Sequence, residues 1–141
     1  MGRVINTNNP GKRRNAMMRT IAEILRRLGQ QGGEVNDDVR DMVATIVYCL
    51  REIDESIIDT IKAWEKRGYW QKADKFQQEW MWAEIAAKRL EKMLRDDNWA
   101  SLPEHMMKLF PHFSDIVINK MTRKPSDWEG TYDKLMEELA S

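Results

Sequence analysis

The chain has 141 residues, 42% apolar and 33% charged, with 23 Lys and Arg balanced by 23 Asp and Glu. That is one domain in size, and six Trp, three Tyr and three Phe make it too rich in core material for a disordered chain. Seven Gly and four Pro are too few for a sandwich or barrel, so an all-α fold of long helices is expected.

Residues 2–9 read as an extended polar arm. Asn9-Pro10 has the form of a helix start, with Asn as cap and Pro in the first turn. Met17, Ile21, Ile24, Leu25 and Leu28 follow at helical spacing, which predicts a first helix over about 10–28, stopped by Gly29 and followed by a short linker to Gly33. A second helix is predicted from Asn36-Asp37-Asp38, where acids in the first turn suit the helix dipole. Its stripe runs Val39, Val43, Ile46, Leu50, Ile53, Ile57, Thr60, Trp64, alternating four and three, until Arg67-Gly68 ends it. Tyr69, Ala73, Phe76, Trp80, Ala83, Ala87, Leu90 and Leu94 repeat that arithmetic. Two matching seams joined by a glycine turn predict a long antiparallel hairpin over about 37–96, with the small residues Ala73, Ala83 and Ala87 allowing close approach.

Shorter helices are predicted over about 101–140 to close the bundle. Ser101-Leu102-Pro103-Glu104 has the form of a capping box and opens a helix that Pro111 breaks. Phe113, Ile116, Val117 and Met121 predict a further helix from His112 to Lys124, and Ser126 to Glu129 reads as a second capping box. Trp128, Tyr132, Leu135 and Leu139 form one face of a final helix. The organisation expected is a basic arm and amphipathic helix over 1–33 and a helical body over 34–141, folding as one unit.

Nothing in the pattern points to catalysis or to a cofactor. Glu52, Glu55, Glu79 and Glu84 sit on the hairpin but off its seams, and the Glu-x-x-His pairs of a di-iron bundle do not occur, so these are read as solvated charges. His105 and His112 have no cysteine nearby to complete a zinc set. Cys49 stands alone in an apolar run and reads as an inert core thiol. Gly11-Lys12 lacks the rest of a phosphate-binding loop, and no serine sits in a nucleophile turn. A non-enzymatic cytoplasmic protein is expected, since no leader, membrane-spanning stretch or lipidation pattern is read, Asn6 standing where myristoylation of Gly2 requires Ser or Thr.

The charge balance conceals an asymmetry. Residues 1–33 carry Arg3, Lys12, Arg13, Arg14, Arg19, Arg26 and Arg27 against Glu23 alone, a net of +6 that leaves −6 on the other 108 residues. Lys12, Arg19 and Arg26 are seven apart on the face opposite Ile21 and Leu25, so the apolar side is expected to dock on the hairpin and the basic side to remain free. Those seven bases point to a nucleic-acid or ribonucleoprotein partner, held through phosphate contacts. The alternative is a protein partner or a second copy of the chain, docked on an aromatic patch of Trp70, Met81, Trp82 and Ile85. A membrane-surface role is not expected, because no Trp or Phe borders the apolar side of the first helix.

Overall fold

The computed structural model describes residues 9–141. Five helices follow in order: α1 over Pro10–Gln30, α2 over Asp37–Lys66, α3 over Trp70–Arg95, α4 over Leu102–Leu109 and α5 over Thr131–Ala140. Single 3-10 turns lie at Trp99–Ser101, Phe110–His112 and Pro125–Asp127, and the described residues contain no strand. None of the helices is long and apolar enough to cross a membrane.

The first two helices begin at the capping residues the sequence offers. Asn9 Oδ1 accepts from Lys12 N at 3.1 Å and Asn36 Oδ1 from Val39 N at 2.9 Å, each satisfying one N–H that a helix start leaves open. α1 runs through Gly29 to Gln30 and is capped by Gln31, whose N–H donates to Leu28 O. α2 turns into α3 at Gly68, whose φ of +80° only glycine adopts without strain.

α2 is the central element, packed against α1, α3 and α5. Val39, Val43, Ile46, Leu50, Ile53 and Ile57 of its seam are buried, as are Ala73, Ala83, Ala87, Leu90 and Leu94 of the facing seam. Heptad spacing thus places the hairpin core, and small residues let the two axes approach. α5 closes the opposite side through Leu135, fully buried, and through Asp41, which accepts from Gly130 N at 3.2 Å and Tyr132 N at 2.9 Å. An acid of α2 therefore caps the start of α5. Cys49 is buried, and loss of solvation pushes its thiol up to about 12, which keeps it protonated and unreactive.

The C-terminal third departs from its sequence pattern. His112 to Lys124 forms no helix beyond the 3-10 turn at its start; residues 116–124 run largely without regular structure along α1. Neither predicted capping box forms. Ser101 Oγ donates back to Asn98 O at 2.8 Å, and Lys124 N donates to Asp127 Oδ2 at 2.9 Å to close a 3-10 turn instead. Trp128 consequently precedes the last helix. It is buried between α1 and α2, with Nε1 donating to Asp38 Oδ1 at 2.8 Å and Arg27 over its ring at 5.2 Å.

Leu50, fully buried on the central seam, sets the scale of this packing. Leu50→Ala should cost about 2–5 kcal/mol in urea unfolding, against less than about half a kcal/mol for the exposed Glu55→Ala. Equal losses would mean that the hairpin register is different.

Candidate nucleic-acid interface

The basic face of α1 does not stay free. Arg19 donates to Glu23 at 2.8 Å and to the Lys120 carbonyl at 2.7 Å, Arg26 to the Ile118 carbonyl at 2.8 Å, and Arg27 to the Arg123 carbonyl at 2.8 Å. Arg123 answers from the other side, with Nε on Thr20 Oγ1 at 2.9 Å and an amino group on Ala16 O at 3.1 Å. This exchange accounts for the missing helix: the carbonyls of Ile118, Lys120 and Arg123 are satisfied by arginines of α1 instead of by helical N–H groups.

Glu23 holds the two strands of chain together. Its side chain is fully buried and accepts from Thr122 N at 2.7 Å, Thr122 Oγ1 at 2.8 Å and Arg123 N at 2.8 Å, as well as from Arg19. Burial by itself pushes a carboxyl up, but these donors outweigh it and hold Glu23 down at about 2. Thr20, Ile21, Ala22, Glu23 and Ile24 are five consecutive buried residues. A helix with one free face cannot bury five in a row; α1 is covered on both sides, by α2 and by the returning segment.

Toward the start of α1, Arg13 pairs with Asp59 and, at 3.1 Å, with Glu52. Glu52 is therefore an ion-pair partner and not a solvated charge. Arg14 donates to Ser56 Oγ at 3.2 Å and lies over the rings of Phe76 and Trp80 at 5.0 and 5.3 Å. Of the described N-terminal bases, Arg26 and Lys12 are exposed, and Lys12 is the one whose side chain has no hydrogen-bond or ion-pair partner among the described residues; Arg3 lies outside them.

The aromatic patch is likewise divided. Trp82 is half-buried, stacked on His112 with centroids 3.9 Å apart and edge-on to Phe113 at 5.6 Å. Trp70, Met81 and Ile85 are exposed. Carboxylates between α2 and α3, among them Glu55, Glu84 and Glu91, line a groove with Arg51 and Lys88. No group of three or more His, Cys, Asp or Glu is placed to hold a metal ion among the described residues. An apolar cleft of about 450 Å³ opens between the end of α1 and α4, lined by Leu25, Leu28, Val35, Trp99, Leu102 and Met106.

The hairpin tip combines free charge with exposed rings. α1 is antiparallel to α2, and its start lies near the level of Asp59, so the tip at Lys66 projects roughly 10 Å further. Between Ile58 and Ala83 only Ala73 is buried, and α1 reaches this stretch only through the side chains of Arg13, on Asp59, and Arg14, over Phe76 and Trp80, among the contacts described. Residues 62–75 carry Lys62, Lys66, Arg67, Lys72 and Lys75 against Glu65 and Asp74. None of those five bases forms an ion pair with a described residue, whereas Arg13, Arg19 and Arg51 all do. Lys72 rests over Trp64 at 4.6 Å, and Trp64 packs edge-on to Phe76 at 4.9 Å. Beyond that support stand Tyr69 and Trp70, 51% and 62% exposed. The run Lys66-Arg67-Gly68-Tyr69-Trp70-Gln71-Lys72 already interleaves bases and aromatics; the heptad seam claims Tyr69 and so masks the signal.

No protein-family model, characterised protein or solved structure matches the chain.

Glu23 should be more costly than its place on a charged helix suggests. Glu23→Ala leaves the Thr122 and Arg123 N–H groups without acceptors and should lose about 2–5 kcal/mol at neutral pH. Because the folded carboxyl sits at about 2 and an ordinary one at 4.5, the wild-type advantage is complete above pH 4.5 and fades as pH falls toward 2. Urea titrations of both proteins across that range check it; a constant difference would mean that Glu23 acts through packing alone.

Proposed function

We propose that the protein binds nucleic acid through the basic, aromatic end of its hairpin, with Lys12 on the first turn of α1 contributing from the same end. The observation that carries the reading is the set of five bases around Tyr69 and Trp70, none in an ion pair with a described residue and outnumbering the two acids of the same segment. Unpaired bases on a projecting element meet phosphates at little desolvation cost, while α1 arginines would first have to abandon carbonyls and carboxylates. The N-terminal charge excess thus supports binding less than the sequence suggests, and the tip supports it more.

Two other occupants are weaker fits. An anionic membrane surface is recognised by bases beside a broad inserting apolar face, and the large apolar side chains exposed in the turn itself are the two rings of Tyr69 and Trp70. A protein partner or second copy is favoured by the apolar cleft, whose lining includes Phe110 at 61% exposure. That surface is at the other end of the hairpin and does not compete with the tip.

Replacing Lys66, Arg67 and Lys72 together with Ala should weaken binding evenly across sequences. If each meets a phosphate, the slope of log affinity against log salt should fall by about three on duplex or about two on single strands. Circular dichroism should be unchanged, since all three are exposed, and melting should fall only slightly, the loss of Lys72 from the Trp64 ring costing about 0.5–1 kcal/mol. A wild-type protein that binds no oligonucleotide at about 50 mM salt, or a variant with an unaltered slope, would overturn the reading.

A further inference from the structure

The geometry points to a narrower ligand: unpaired nucleic acid, with one base stacked on Trp70, an inference that rests on the tip reading above. Trp70 and Tyr69 are consecutive, and neither ring packs on another ring or under a cation among the described residues, unlike Trp64, Trp80, Trp82 and Trp128. Open ring faces in water are expensive unless something is meant to cover them, and a nucleobase is a flat π-surface of the right kind.

The backbone that carries the rings is also held in place. Arg67 N and Tyr69 N both donate to Trp64 O, at 3.0 and 2.9 Å, and Gly68 N donates to Glu65 O at 3.0 Å. A turn closed by three backbone hydrogen bonds leaves the main chain with little ordering to do on binding, so the cost falls on the side chains alone. Lys66, Arg67 and Lys72 all lie within four residues of the rings and are exposed, so the phosphates of a strand that stacks a base there meet positive charge close by.

Duplex does not offer the same fit. Its bases are stacked and paired, so a ring can meet one only after unstacking it. The tip is two helices wide, about 20 Å with side chains, against about 12 Å for the major groove, and reaches duplex only at the backbone. Single strands present base and phosphate together and accept stacking with little sequence preference.

The test uses the full chain with a fluorescent 12-nucleotide homopyrimidine strand and a 12-base-pair duplex at about 100 mM salt. The wild type should bind the single strand more tightly. Trp70→Ala should weaken single-strand binding about 5- to 150-fold, leave duplex binding and the salt slope nearly unchanged, and Trp70→Phe should restore most of the loss. Trp70 is exposed, so an unchanged melting temperature shows that the variants fold. Equal single-strand and duplex affinity with no effect of Trp70→Ala overturns this inference and leaves nucleic-acid binding standing. Binding to anionic phospholipid vesicles with none to either oligonucleotide overturns both.

Discussion

A buried carboxylate on α1 sets the terms for much of this molecule. Glu23 has no exposed surface, and an unpaired charge in such a place would be expelled or neutralised. It persists as an anion because Thr122 and Arg123 deliver three donors from backbone and hydroxyl while Arg19 supplies a charge. Those donors come from about a hundred residues further along the chain. The carboxylate therefore joins the ends of the fold, and the segment it captures brings carbonyls within reach of Arg19, Arg26 and Arg27. Replacing a helix with extended chain at residues 116–124 is the consequence, since backbone groups are satisfied by whichever partner the tertiary structure presents.

The same arrangement separates two kinds of positive charge. On α1 the arginines are structural: their planar forks fit carbonyls, carboxylates and the rings of Phe76, Trp80 and Trp128. At the hairpin tip most of the bases are lysines, with Arg67 at the turn, and none has an acidic partner among the described residues. A count of bases per segment treats the two alike. Their difference lies in what surrounds them, and it moves the surface available to a polyanion from the middle of α1 to the end of the hairpin.

The hairpin is uneven along its length for a related reason. Near α5 and α4 its seams are sealed on several sides, and Leu50, Leu90 and Leu94 are buried. Toward the tip, Trp64, Phe76 and Trp80 carry the same heptad positions but stay half-exposed, with Arg14 and Lys72 laid over their rings. Large aromatics with cationic neighbours are a workable way to finish a two-helix seam that no third layer covers.

Local signals were enough for the helices themselves. Asn9 and Asn36 mark boundaries by side-chain capping and Gly68 by its backbone freedom, and the four-three alternation of α2 and α3 is the pattern of two helices facing each other, so an all-α hairpin was legible in the residues alone. Periodicity also suggested a helix at Phe113, Ile116, Val117 and Met121, and there it failed, because a stripe of apolar residues states a preference that distant hydrogen-bond donors and acceptors override. Which bases are free was likewise invisible. Charge is a property of the sequence, but whether an arginine faces water or Ile118 depends on a contact 92 residues away. Long-range pairing of buried polar groups has no short-range signature, so the tertiary structure alone decided what α1 binds and what the hairpin tip leaves exposed.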